Sequence, residues 1–296
     1  MSASVAVASA LGAALLLGIA SVADQRSTKR VESRQAMSPR ILLDLARQPL
    51  WLTAVGTNVA GFALQVVALD FGSLALVEPL LVCDLVFAVL IARYLARSGR
   101  PPVSPRRTAG ILAGVGAATA GVAGFLVIGQ PSDGHPDVSV SVGVLVPLAV
   151  GLVVITGGCL AVANRNRNLR PLALALACGV SYGVAAFAVK LVTSEFGGGP
   201  GQVFTHWPIY LVAVVGPAGY ILNQDAFQQG RFLAPVQAII TTADPVISIG
   251  LGVVWLGVRL HSGPADVFGE VASLMLMVAG IVLTARHAPQ VTGRAA

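Results

Sequence analysis

Charge is what this chain has least of. Asp, Glu, Lys and Arg make up 11% of its 296 residues, against roughly a quarter in soluble domains, and that excludes a globular surface wetted on all sides. Cysteine is scarce too: Cys83, Cys159 and Cys178 each lie inside an apolar run, where a small buried thiol is expected. With no CxxC among them, neither a disulfide framework nor a cysteine zinc site is supported. No P-loop pattern occurs, so direct ATP hydrolysis is not expected, and nothing calls for a cofactor. The formal charge of +6 would suit nucleic acid only if the Arg residues shared one soluble face. They sit between apolar runs instead, so no nucleic-acid partner is expected.

Apolar residues are abundant: 55% of the chain, with a mean hydropathy of +0.81. The expected class is an all-α integral membrane protein whose main partner is the lipid bilayer. A span needs about 20 apolar residues, and nine runs qualify: 3–23, 50–69, 74–96, 108–128, 141–163, 172–194, 207–223, 233–257 and 267–285. The seventh is short and carries Pro217 and Gly219. The eighth contains Pro235 and Pro245, which predict a bend or interruption. Ser21-Val22-Ala23 resembles a signal-peptidase site, but Met1 to Ala10 carry no Lys or Arg, and a signal peptide wants a basic start. The expected state is a retained helix.

Basic residues set the orientation. With the N-terminus outside, Arg259 faces outward, Lys190 lies within a span, and every other Lys and Arg falls inside. Nine helices with the C-terminus inside satisfy the positive-inside rule; an eight- or ten-helix count breaks the alternation. The expected location is the cell inner (plasma) membrane, multi-pass. Segment 24–49 is then the largest inner piece, either a basic connector or a short interfacial helix around Ile41, Leu42 and Leu45.

The chain also repeats itself. Gln65-x-x-Ala68-x-x-x-Gly72 returns as Asn223-x-x-Ala226-x-x-x-Gly230; Gly110 and Gly121 return as Gly269 and Gly280; Asp84 corresponds roughly to Asp244. The matching spans are separated by five crossings, an odd number, so the second copy enters the membrane inverted. Residues 1–128 form a first repeat of about four helices, 129–140 an external linker, and 141–296 a second repeat of about five helices with a short tail. Inverted repeats rock about a midplane site in many transporters.

The stretches Gln65–Leu95 and Asn223–Leu260 carry a resemblance. Each joins Ala-x-x-x-Gly to a run with proline, Glu78-Pro79 or Asp244-Pro245, and each precedes a Gly-rich terminal helix. In this the chain resembles the drug/metabolite transporter superfamily, particularly its EamA-type domains. Pro49-Leu50-Trp51 and Val77-Glu78-Pro79-Leu80 are similar to the NIPA-like magnesium transporter branch. The resemblance implies a secondary transporter of a small metabolite or cation, and magnesium for that branch. Two departures stand: Val258 replaces the Glu of the usual Leu-Gly-Glu ending, and the run 3–23 lacks the carboxylate that four-helix multidrug relatives carry in their first helix.

Ionisable groups at membrane depth are costly and default to functional candidates. Asp84 and Asp244 each lie about ten residues, or about 15 Å, into their spans. Paired there, they suit proton coupling or a bound cation. Glu78 precedes Pro79, where a broken backbone leaves carbonyls free for a solute. Asn58, Gln65, Tyr182, Asn223 and Gln224 either line a path or join helices. Lys190 and Glu270 are expected to reach the interface. Gly179-x-x-x-Gly183 and Gly110-x-x-x-Gly114 allow close helix contact, within one copy or in a homodimer. In the external loop, Asp133 and Asp137 flank His135 as candidate metal collectors, with a solvated turn as the plainer reading.

The expected function is alternating-access transport, not catalysis. Three alternatives remain: a divalent cation transporter, a membrane scaffold or lipid-translocation accessory, and an intramembrane aspartyl protease. Against the last, the contexts Val82-Cys83-Asp84 and Thr242-Ala243-Asp244-Pro245 lack the motifs of those proteases.

Overall fold

A computed structural model describes residues 2–28, 48–96, 105–129, 142–167, 169–194, 204–229, 233–255 and 264–287. Every secondary element among them is helical, as hydrocarbon demands of a chain that must satisfy its own backbone. The helices are α1 (Ser2–Thr28), α2 (Pro49–Phe71), α3 (Leu74–Leu81), α4 (Cys83–Ala96), α5 (Pro105–Gly129), α6 (Val142–Arg165), α7 (Arg170–Ser194), α8 (Trp207–Gln229), α9 (Leu233–Trp255) and α10 (Pro264–His287). Six stretches among the described residues are long and apolar enough to cross a membrane, one of them running through α3 and α4. The protein is therefore an all-helical, multi-pass membrane protein.

Two helix boundaries differ from expectation. Helix α1 does not stop at 23 but runs through Asp24 to Thr28, so the first helix carries a carboxylate after all. No Gly or Pro stands between Gly18 and Pro39, so nothing in the sequence obliges the helix to end with the apolar run. Second, of the bend or interruption expected in the eighth run, no interruption occurs. Helix α9 runs unbroken through Pro245, and Pro235 sits in its first turn, where a missing N–H costs nothing. The break falls instead in the run 74–96, at Val82, a single residue whose backbone stays right-handed (φ −56°, ψ −21°), so α3 passes into α4 through a local distortion.

That break has local causes. Ser73 caps α3, its side chain accepting from the Leu76 N–H at 3.3 Å, so the helix starts firmly. Pro79 then withholds an N–H from the growing ladder. Beyond Val82, Asp84 lies in the first turn of α4, where the positive end of the helix dipole favours a carboxylate.

Packing is organised around close contacts of small residues. Helix α1 lies along α2 and the α3–α4 pair, while α7 lies along α8 and α9. A Cβ at Gly18 of α1 would stand 2.8 Å from the Asp84 carbonyl oxygen, and one at Gly183 of α7 would stand 2.6 Å from that of Asp244. Helices α5 and α10 pair antiparallel: Gly110 meets His287, Gly121 meets Met277, and Gly269 meets Ile128. The small-residue motifs around Gly110 and Gly183 are thus used inside one copy. Helix α6 leans on α7 and exposes Val146, Val150, Val153 and Val154, a face suited to lipid.

Candidate functional site

Three carboxylates gather around the break in α3–α4. Glu78, on α3, is 1% exposed; its Oε1 accepts a long hydrogen bond from Gln65 Nε2 of α2 at 3.4 Å, and Ser248 of α9 stands beside it. Asp244, on α9, lies within electrostatic reach of both Glu78 and Asp84. Asp84 accepts from Gln237 Nε2 at 3.4 Å through Oδ2, and the same amide reaches Thr241 Oγ1 at 3.3 Å. The Oδ1 atoms of Asp84 and Asp244 are buried without a hydrogen bond.

The charge balance of this group is its main property. Among the described residues, no Lys or Arg figures in the surroundings of Glu78, Asp84 or Asp244. An isolated buried carboxylate costs several kcal/mol when ionised, a cost that falls most heavily on Glu78, since Asp84 and Asp244 are half-buried. Among the described residues no three His, Cys, Asp or Glu side chains converge tightly enough to cage a metal ion.

A second polar group surrounds Asp24, 1% exposed. Asn58 Nδ2 of α2 donates to its Oδ2 at 3.1 Å, and the Tyr220 hydroxyl of α8 donates to its Oδ1, also at 3.1 Å. Gln224 faces the same carboxylate, but its amide atoms fall outside hydrogen-bond geometry. Tyr182 of α7 stands between the groups, within reach of Asp24 and Tyr220 on one side and Asp244 on the other. Gly219 makes room for its ring, since a Cβ there would stand 2.9 Å away.

Glu270 corrects the expectation that it reaches an interface, whereas Lys190 is only half-buried and finds its partners at the end of α2. Lys190 Nζ donates to the Leu69 carbonyl at 2.7 Å and the Gly72 carbonyl at 2.8 Å. Thr193 Oγ1 adds a contact to the Leu69 carbonyl at 3.4 Å. A cation at the end of α2 satisfies carbonyls the helix leaves open. Glu270 is buried within the bundle at 5% exposure.

Of the residues singled out from sequence, Asp84, Asp244, Glu78 and Gln65 meet in the first group. Asn58 and Gln224 meet in the second, with Tyr182 between the two. Asn223 is joined by no hydrogen bond to either, and its Oδ1 is buried without one. Asp133, His135 and Asp137 lie outside the described residues. Sequence reasoning missed Asp24, Tyr220, Gln237 and Ser248. The uninterrupted stretch after Gly18 was the available signal for Asp24; the other three are polar residues inside apolar spans.

The chain is similar to an uncharacterized protein of Corynebacterium glutamicum, 26% identical over 290 residues that cover 97% of each chain. No protein-family model matches it, and no solved structure does.

Proposed function

We propose that this protein is a secondary transporter of a small metabolite or cation in the plasma membrane. Its coupling site would be Glu78, Asp84 and Asp244. The carrying observation is a set of three carboxylates, Glu78 fully buried and Asp84 and Asp244 half-buried, without a described basic neighbour, around the interruption at Val82. Discontinuous helices beside intramembrane charge are how many transporters build midplane sites. A group that must be neutralised to stay buried couples naturally to the movement of the neutraliser.

The alternating-access part of the reading requires an inverted repeat, and the glycine contacts support one. Gly121 meets Met277 while Gly280 meets Ala118, one antiparallel register in which glycine answers glycine at an offset of 159 (280 minus 121). The same offset relates Gly110, on His287, to Gly269, on Ile128. Corresponding helices that pack antiparallel fit an axis lying in the membrane plane. Gly18 on the Asp84 carbonyl, matched by Gly183 on the Asp244 carbonyl, fits it as well. Helix α6 has no counterpart in this scheme, consistent with four helices in one repeat and five in the other. The positive-inside distribution would put the Thr28 end of α1 in the cytoplasm.

The test is flux in proteoliposomes under imposed proton or magnesium gradients, followed with pH- and magnesium-sensitive dyes. Wild type is compared with Asp84→Asn and Asp244→Asn, each checked for folding by size exclusion. Loss of proton flux in both variants supports proton coupling, and loss of magnesium flux supports the divalent reading. Equal fluxes in all three proteins would overturn the site and favour a scaffold role.

A further inference from the structure

Beside the Gln237–Asp84 bond within the carboxylate group, two further polar contacts tie the first half of the chain to the second, and they lie on opposite sides of that group. At one, Asp24 of α1 accepts from Tyr220 of α8. At the other, Lys190 of α7 donates to the Leu69 and Gly72 carbonyls at the end of α2. Helix α2 serves as a ruler between them. Asn58, which also holds Asp24, and Leu69 are eleven residues apart, about 16 Å along a helix. Gln65, the partner of Glu78, lies between. Both contacts are made in this structure, with Glu78 fully buried and Asp84 and Asp244 half-buried between them.

We infer that Asp24–Tyr220 and Lys190–Leu69/Gly72 are the two gates of the transport cycle, opened one at a time. The inference rests on the transporter reading above and adds the residues that control access. Their placement follows the same two-fold relation. Gly18 and Gly183 are 165 apart, and that offset carries Gln25, the neighbour of Asp24, onto Lys190 (190 minus 25). The two latches thus occupy equivalent ends of α1 and α7 and bridge equivalent interfaces, α1 to α8 and α7 to α2. Rocking one half against the other lengthens one contact while leaving its counterpart closed.

The chemistry of the latches differs, and that sets their strengths. The first is a hydroxyl-to-carboxylate bond supported by one amide. The second is an ammonium on two carbonyls, with Thr193 alongside; both latches include a charged group, and the second makes two such bonds to the first's one from Tyr220. Each latch is polar, so water entering from its own end competes for it. An apolar seal would not respond in that way. Gln224, 5% exposed with both amide atoms unpartnered, stands ready to take over a hydrogen bond at Asp24 when Tyr220 leaves.

Accessibility to a membrane-impermeant maleimide tests this without a known substrate. Two reporters are used, each as the sole cysteine of the full chain: native Cys178, which faces Tyr182, and Ser248→Cys, beside Glu78. Right-side-out and inverted vesicles are labelled separately. Tyr220→Phe is expected to raise Cys178 labelling about fivefold in one vesicle orientation only, the shift that losing one hydrogen bond gives. Lys190→Met is expected to raise Ser248→Cys labelling about tenfold in the other orientation only. Labelling that rises from the same side for both variants, or changes for neither while both remain folded by size exclusion, would overturn the gates. Sided labelling with aspartate-independent flux would leave the gates and remove the proposed coupling site. Unsided labelling with aspartate-dependent flux would do the reverse.

Discussion

The span 74–96 and helix α9 are built from the same parts and behave differently. Each carries one aspartate and one proline near membrane depth, and each aspartate's backbone is pressed against a glycine of a neighbouring helix. Yet the first breaks at Val82 and the second does not. The order of the parts accounts for it. In 74–96 the proline comes first and Asp84 follows the break, at the start of α4, where a carboxylate is stabilised by the helix end. In α9 the aspartate comes first. Pro245 is followed by Val246 and Ile247, and Ser248 returns its hydroxyl to the Pro245 carbonyl at 3.3 Å instead of capping a new helix. A proline loosens a helix, and in 74–96 a carboxylate follows it in the first turn of the next helix, where in α9 none does.

The comparison is broken or sharpened by substitution. The largest effect is expected at the aspartates. Asp244 reaches both other carboxylates, whereas Asp84 adjoins Asp244 and Gln237. Asp244→Asn should therefore lower coupled flux about a hundredfold, and Asp84→Asn about tenfold, or about 2.7 and 1.4 kcal/mol. Equal losses in the dye assay would make the two spans equivalent in function despite their different backbones.

Next come the glycines. Gly183→Val and Gly18→Val should each destabilise the protein by about 1–3 kcal/mol, the usual penalty for overpacking, because the new side chain meets backbone instead of a flexible tip. Thermal loss of the monodisperse peak in detergent measures this. An unchanged melting point for Gly183→Val would mean that α7 and α9 are not held at the separation seen here.

The prolines separate the spans most directly. Pro245→Ala should leave flux within about twofold, since α9 is already continuous. Pro79→Ala should lower flux about fivefold by letting α3 and α4 fuse, a shift of about 1 kcal/mol. Similar effects from both would detach the break from function. Smallest is Ser73→Ala, which removes the cap of α3 at a cost of about 1 kcal/mol, visible as a lowered melting temperature with little change in flux.

The legibility of this protein followed the range of the forces involved. Helical class and approximate span limits are local matters, because a run of about 20 apolar residues has one way to satisfy its backbone in lipid. Glu78, Asp84 and Asp244 were conspicuous for the same reason, being charges where charge is expensive. The sequence alone therefore determined that this is a helical, multi-pass membrane protein with ionisable groups at depth. Only the tertiary structure decided that Asp24 belongs to α1 and meets Asn58 and Tyr220. It likewise sent Lys190 to the carbonyls of α2 and put Asp244 within reach of both other carboxylates. Those outcomes join residues 34 to 196 positions apart. Hydropathy and helical period act over one or two turns, and partners across the bundle are chosen by how whole helices pack.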